Sequence, residues 1–410
     1  MGGARMASTT ASAGEFNAAR VQQASAKITV FESLTRLSNW LDRNDYRGYD
    51  TFDGLNARYL RALTFENAFL RTVLQQGVRR FPINLRPFLG ISKERSSKGM
   101  GFLARGFIRL HKATGDQVWA DKAKYALQWL IDHQSPGYHG ACWGNHFDYQ
   151  SRISYLPKGT PTIVWTSLIG HAFLDGFEHF QEDRYLEVAV SACEHILRDL
   201  ETYPDGEGVC ITYIPDQNCQ VHNANTLGAS LLARTFGYTW KEDYGELARK
   251  AIQYTAQHQR PDGSWYYGER EILHWVDNFH TAYVLDCFNH YARGTGDESF
   301  KPVMLRGYEY WKNNFFLADG TPRYYNQKTL PLDIQCSSQA IDTLAFFQDY
   351  DPEAIDTAVR VARWTIDNLQ DQTGYFYYRR YSRWIVNKTP TMHWGQATML
   401  CALASLYGSL

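Results

Sequence analysis

Apolar residues recur along most of the chain at helical spacing, in segments separated by polar turns. Residues 27–42 place apolar side chains three and four positions apart, which predicts an amphipathic helix. A second helix is predicted from about Tyr59 to Val78. From Lys98 onward, a nearly uncharged apolar helix alternates with an amphipathic one. The period of roughly 54 to 67 residues accommodates two helices of about four turns and two loops.

The turns that end the amphipathic helices resemble one another. Gln259–Trp265, Leu317–Tyr324 and Gln370–Phe376 each place a glycine shortly before an aromatic residue. Glycine supplies the positive φ that stops a helix and tightens the following turn. We therefore expect a structural role for these turns, in which the aromatic side chain folds back onto its helix pair.

The two kinds of helix predict two concentric layers. Helices that are apolar on all sides must be buried, so they form an inner ring, and the amphipathic helices form an outer ring. The last apolar helix, His393–Tyr407, pairs with the N-terminal helix that ends near Trp40, because an open stack would expose both terminal faces. The fold class predicted is all-α: an (α/α)6 toroid of about six helical hairpins, closed by the N- and C-terminal helices.

Residues 26–410 are predicted to form this single domain. Residues 1–25 are rich in Ala, Ser, Gly and Thr and lack the apolar core of a signal peptide, which predicts a disordered tail. No apolar run reaches 18 residues, so no transmembrane segment is expected. Seven scattered cysteines without a CxxC pair argue against a disulfide framework and a zinc ribbon, and favour a reducing, cytoplasmic location.

Charge and aromatic content narrow the classes of partner. The net charge of -1 gives no electrostatic basis for binding nucleic acid, and none for an anionic membrane unless a local basic patch exists. Aromatic residues make up 15% of the chain. They either fill a large core or line a groove that stacks on sugar rings, and both interpretations stay open.

The loops that lead into the inner helices are expected to converge on one mouth of the ring. His222, His280 and His393 stand at equivalent helix starts, each beside an amide or carboxylate residue. Histidine titrates near neutrality and can give or take a proton. These three residues and Asp277 are the predicted catalytic residues, although a simple helix-capping role for Asp277 stays open.

Further polar and aromatic residues near these starts, or in a loop facing them, are predicted to bind substrate: Asp53, Arg47, Lys98, Trp165, Asn223, Asp333, Tyr377, Arg379, Trp394 and Gln396. Among them Arg47, Lys98 and Arg379 are suited to neutralise a substrate carboxylate. His139, Cys142 and His146 match no zinc spacing, so neither a metal nor a cofactor is predicted.

The alternating helices and the Q-x-x-D-G-x-W type of turn resemble the (α/α)6 toroid families. These are the six-hairpin glycosidases, the related lyases and epimerases of uronic-acid polymers, and the terpenoid cyclases. The segments Asp45–Leu55, Ile83–Gly90 and His393–Ala397 are also similar to proteins of capsule and exopolysaccharide biosynthesis.

The resemblance implies a carbohydrate-active protein of polysaccharide biosynthesis or modification. It would act on an oligo- or polysaccharide in an aromatic-lined cleft, as a hydrolase, lyase or epimerase. Two alternatives remain: a non-catalytic binding scaffold and a terpenoid-cyclase-like protein. The second is disfavoured because the chain has neither a D-x-D-D nor a D-D-x-x-D motif.

Overall fold

A computed structural model describes residues 13–215 and 220–410 of the chain. Six helices form an inner ring, and each packs against the next until the last one meets the first. They are α4 (Ser97–Thr114), α6 (Ile163–Phe180), α8 (His222–Thr239), α10 (Asn278–Thr295), α12 (Ile334–Phe346) and α14 (Thr398–Ser409). The predicted (α/α)6 toroid is confirmed.

Six amphipathic helices surround this ring and bury mainly alanine, leucine and aromatic side chains against it. They are α1 (Ala13–Arg43), α5 (Gln117–Asp132), α7 (Asp183–Asp199), α9 (Glu242–Gln257), α11 (Lys301–Phe315) and α13 (Ala354–Leu369). Helix α1 contacts α13 and α14, so the termini close the ring as predicted.

The glycine turns fix each outer helix to the next one. Gln259, which ends α9, donates a hydrogen bond to the carbonyl of Val303 in α11 (2.9 Å). Gln370, which ends α13, donates in the same way to the carbonyl of Ser33 in α1 (3.2 Å). Helix α1 therefore occupies the place of the next outer helix, although it comes from the other end of the chain.

The N-terminal helix is longer than the sequence pattern predicts. It begins at Ala13, so residues 13–25 of the predicted disordered tail are helical. Residues 1–12 of that predicted tail lie outside the described residues.

The predicted helix from Tyr59 to Val78 is in fact two helices, α2 (Arg58–Ala62) and α3 (Ala68–Arg80). The break occurs because Asn67 caps α3, accepting hydrogen bonds from the backbone N–H groups of Phe69 and Leu70. Helical periodicity continues across the break, which is why the pattern alone did not show it.

Short antiparallel strands tie the loops together at the ends of the ring. They are β1 (Tyr149–Gln150), β2 (Tyr155–Leu156), β3 (Thr202–Asp205), β4 (Gly208–Ile211), β5 (Leu332–Asp333), β6 (Arg379–Arg380) and β7 (Val386–Asn387). The order β5-β6-β7 attaches the aromatic loop after α13 to the start of α12. None of the helices within the described ranges has the length and apolar character that a membrane span requires.

Ring closure is testable at Gly374, whose φ is 113° and whose added Cβ would lie 2.2 Å from the Arg36 carbonyl of α1. Gly115 has a similar positive φ of 71° but faces open space. We expect Gly115→Ala to cost about 1–2 kcal/mol of stability through backbone strain alone. Gly374→Ala is expected to cost at least twice as much. Thermal and urea denaturation measure both losses, and equal losses would contradict the closure contact.

Candidate active site

The starts of the inner helices lie at one mouth of the ring, and their polar residues cap the helices. Asp277 accepts a hydrogen bond from a backbone N–H of α10, and Asp333 does the same for α12. Ser96 and Thr162 cap α4 and α6. Capping therefore explains part of the polar pattern, but it does not account for the histidines.

His280 is held by Asp277. The Nδ1 atom of His280 lies 2.7 Å from one carboxylate oxygen of Asp277, which also accepts from the indole of Trp275 (2.9 Å). The other carboxylate oxygen accepts from the His280 backbone N–H (3.0 Å). Asp277 is buried, whereas His280 is 21% exposed through its side chain. The carboxylate thus orients an imidazole whose Nε2 remains available.

His222 is held by Glu269 in the loop before α10. The distance from His222 Nε2 to the Glu269 carboxylate is 2.6 Å. Burial lowers the pKa of His222, and the hydrogen bond that its ring donates to Glu269 opposes that shift. Within the described ranges no partner reaches His222 Nδ1, which is buried. The imidazole is thus fixed at one nitrogen and unpaired at the other.

Both histidines line the same small pocket, of about 10 Å³, at the open part of the mouth. Tyr267 forms one of its walls, stacked on Trp275 at 4.6 Å and tilted against His280 at 4.5 Å between ring centroids. The lining residues are His222, Asn223, Trp265, Tyr266, Tyr267, Asp277, His280, Thr281 and Val284. Two carboxylate-held imidazoles therefore meet around one volume, which aromatic rings border.

His393, the third predicted histidine, lies in a separate and covered part of the mouth. It forms a buried ion pair with Asp50 from the segment before α2. Burial lowers the pKa of His393, and Asp50 opposes the shift. The structure thus groups His222, Asp277 and His280 around one pocket and places His393 with Asp50.

Lys98 lies beside this pair, with its ammonium 4.8 Å from the centre of the Trp165 ring. Lys98 is buried, and in the described part of the chain its ammonium forms no ion pair shorter than 4.0 Å. Burial lowers the pKa of Lys98 to about 7, while the charge of Asp50 works in the opposite direction. A buried ammonium with a strongly shifted pKa is typical of functional sites.

The segment from residue 44 to residue 96 covers this part of the mouth. Arg79 lies over the rings of Phe52 and Trp394, at 4.4 and 5.8 Å, and donates a hydrogen bond to the Tyr378 hydroxyl (2.8 Å). This covering segment accounts for the small open volume at the helix starts.

Several buried polar atoms at the mouth have no hydrogen-bond partner among the described residues. They are Trp165 Nε1, Trp394 Nε1, Asn223 Oδ1 and Gln335 Oε1. Buried polar groups in folded proteins are almost always paired, so these atoms are candidates for contact with a ligand or with ordered water.

Other predicted binding residues are engaged within the fold. Asp53 pairs with Arg86 (2.6 Å) inside the covering segment, and burial raises the pKa of Asp53 to about 6. Arg379 pairs with Asp333 at the start of α12. Gln396 exchanges two hydrogen bonds with the backbone of Phe376 (2.8 and 2.9 Å). These side chains therefore stabilise the loops and helix starts around the mouth.

Arg47 and Tyr377, two further predicted binding residues, each have a partner close by in the sequence. Arg47 is exposed and pairs with Asp45 on the outer surface (3.1 Å). Tyr377 donates a hydrogen bond to Asp371 (2.9 Å) at the end of α13.

The sequence reasoning missed Asp50 and Glu269, the two carboxylates that hold His393 and His222. Neither begins an inner helix. Each comes from a loop far along the chain from its histidine, so helix-start position gave no signal for either.

A larger cavity, of about 60 Å³, lies inside the ring towards the other ends of the inner helices. Arg105 pairs with Asp175 (2.8 Å) and Arg109 with Asp342 (2.6 Å), whereas one carboxylate oxygen of Asp286 has no hydrogen-bond partner among the described residues. We favour the mouth at the helix starts, because unpaired imidazole nitrogens and indole N–H groups lie there.

No protein-family model and no curated protein matches the sequence. Solved structures do share the fold. Cellobiose 2-epimerase from Bacillus thermoamylovorans has 10% identity and a TM-score of 0.57, over 77% of this chain and 90% of that chain. The GH76 α-mannanase of Bacteroides thetaiotaomicron has 13% identity and a TM-score of 0.58, over 78% and 87%. Unsaturated glucuronyl hydrolase from Bacillus sp. GL1 has 13% identity and a TM-score of 0.57, over 90% and 94%. The chain thus has the (α/α)6 fold of six-hairpin glycosidase-like proteins.

The shifted pKa of Lys98 predicts how stability depends on pH. In the unfolded chain the lysine keeps its ordinary pKa of 10.5, so below pH 7 the folded state bears the full penalty of a buried charge. The penalty disappears as pH rises from 7 towards 10.5. We expect Lys98→Met to raise the melting temperature at pH 6, with a gain that shrinks towards pH 10. The exposed Lys328→Met variant is the control, and a gain independent of pH would refute the assignment.

Proposed function

We propose that the protein is a carbohydrate-active enzyme that moves a proton at a sugar carbon, as an epimerase or isomerase does. The observation that carries this proposal is the pair of imidazoles, His222 and His280, each held by a carboxylate and lining the same pocket. Epimerisation next to a carbonyl requires one group to remove a proton and another to return one.

Imidazole is suited to both tasks, because its pKa lies near the pH at which enzymes work. Asp277 and Glu269 each bind one nitrogen, which leaves His280 Nε2 and His222 Nδ1 for the substrate. One imidazole enters the reaction neutral and takes the proton from the sugar carbon, and the electron pair moves to the neighbouring carbonyl oxygen to give an enediolate. The other enters as an imidazolium and returns its proton to the opposite face of the carbon, which restores the carbonyl and completes the epimerisation.

Hydrolysis is less well supported by these contacts. A glycosidase needs a carboxylic acid and a second carboxylate free to reach the two sides of a glycosidic bond. Asp277 already accepts hydrogen bonds from Trp275, the His280 ring and the His280 backbone. Asp50 is likewise paired with His393. The fold alone does not distinguish epimerisation from hydrolysis, since the similar structures include both an epimerase and hydrolases.

A uronate lyase is the second candidate, supported by Lys98. Elimination from a uronic acid needs a base and a cation that neutralises the substrate carboxylate. The Lys98 ammonium is buried beside His393, and its charge lowers the pKa of that histidine. We propose either activity in polysaccharide biosynthesis, on the resemblance of Asp45–Leu55, Ile83–Gly90 and His393–Ala397 to capsule proteins. We propose a cytoplasmic location because the scattered cysteines favour a reducing compartment.

The test is to incubate the purified protein in D2O with neutral and uronate-containing oligosaccharides. Solvent deuterium at the carbon next to the reducing carbonyl, read by NMR with the new epimer, supports the proposal. A product that absorbs as an unsaturated uronate assigns the lyase, and new reducing ends without deuterium assign a hydrolase. Inertness towards all substrates favours a binding scaffold and contradicts the proposal. We expect His280→Gln to reduce exchange by about 10²–10⁴-fold, whereas the exposed His133→Gln leaves it unchanged.

Glu269 tests whether the carboxylate orients His222. Glu269→Gln keeps the size of the side chain but can donate to Nε2, which favours the wrong imidazole tautomer. We expect kcat to fall by at least about tenfold with little change in KM. The neighbouring exposed Glu271→Gln variant should behave as the wild type. Equal activities of the two variants would show that the carboxylate does not act through His222.

A further inference from the structure

The covering segment carries a concentration of exposed apolar side chains. Ten of the 22 large apolar side chains that are exposed in the described part of the chain lie between residues 59 and 88. We call them the apolar face: Tyr59, Leu60, Leu63, Phe65, Phe69, Leu70, Val73, Phe81, Ile83 and Phe88. Exposed apolar side chains concentrated in one segment mark a candidate interaction site.

The orientation of helix α3 accounts for part of this exposure. It buries Arg71 and Gln75 together with Val78, and it exposes Phe69, Leu70 and Val73. Gln75 is fully buried and exchanges two hydrogen bonds with the backbone of Gln150 (both 3.1 Å), and Arg71 is buried over the ring of Tyr155 at 4.1 Å. Phe69, by contrast, is 72% exposed. An ordinary surface helix has the opposite orientation, so the environment outside α3 is expected to be apolar.

The covering segment is also basic, although the whole chain has a net charge of -1. Residues 44–96 contain nine basic and five acidic residues, and several of the arginines pair with carboxylates. Arg58 and Arg80 are exposed, and in the described ranges neither forms an ion pair. Arg383 and Trp384, which is 83% exposed, lie in a loop that joins this region, because Asn387 donates to the carbonyl of Phe81 (2.8 Å).

We infer that the apolar face binds the surface of an anionic phospholipid bilayer. Aromatic and aliphatic side chains would enter the boundary between headgroups and acyl chains, while the arginines contact lipid phosphates. A second copy of the chain fits less well, because pairing this face with itself brings two basic surfaces together. Attachment is peripheral, and it places the covered mouth of the ring beside the membrane. The inference is independent of the proposed chemistry.

The experiment is co-sedimentation of the full chain with phosphatidylcholine vesicles, with and without phosphatidylglycerol. We expect binding to the anionic vesicles, weakened by added salt and by Arg58→Gln/Arg80→Gln. The triple variant Phe65→Ser/Phe69→Ser/Phe88→Ser should bind at least about tenfold more weakly. These side chains are exposed, so the variant should keep its melting temperature. Trp240→Ser removes an equally exposed ring, 73% accessible, at the far end of α8, and should bind as the wild type.

Two results would overturn the inference. The first is absence of vesicle binding, or binding that the triple variant leaves unchanged. The second is a dimer, measured by light scattering, that the triple variant dissociates, because the apolar face would then belong to a second copy of the chain.

Discussion

Burial of the six inner helices is the constraint on which the rest of the structure depends. These helices are buried along most of their surfaces, so each must be covered by two inner neighbours and an outer helix. A closed ring is the arrangement that covers all six helices. The N-terminal helix α1 completes it by packing against the C-terminal helix α14. Closure also gives the six inner helices the same direction, so every inner helix begins at the same mouth of the ring.

Because the inner helices share this direction, the acceptor side chains at their starts can have two roles. Backbone N–H groups at helix starts require acceptors, and Asp277 meets this need for α10. The same carboxylate then holds the ring of His280. A structural requirement of the toroid thus places a fixed imidazole at the mouth. Glu269 holds a second imidazole, that of His222. The chemistry proposed for the small pocket depends on both imidazoles lining it.

Periodicity and turn chemistry were sufficient to predict the ring, its closure and the structural role of the Gln259–Trp265 turn. The burial of a helix and a positive φ at a turn can both be predicted from residues that are close in the sequence. The sequence also predicted one site for His222, Asp277, His280 and His393, whereas the structure places the first three around one pocket and pairs His393 with Asp50. Asp50 and Glu269 were not predictable, since each meets its histidine only through the tertiary fold. The break before α3 and the outward orientation of Phe69 were missed for a related reason: periodicity locates an apolar stripe without showing which side faces the protein.

The most direct test of the central claim is the protonation of the two imidazoles, measured by long-range ¹⁵N–¹H correlation on histidine-labelled protein. The hydrogen bonds predict that neutral His280 carries its proton on Nδ1 and neutral His222 on Nε2, each next to its carboxylate. Each ring then keeps an unprotonated nitrogen for the pocket. The opposite tautomers would contradict the account.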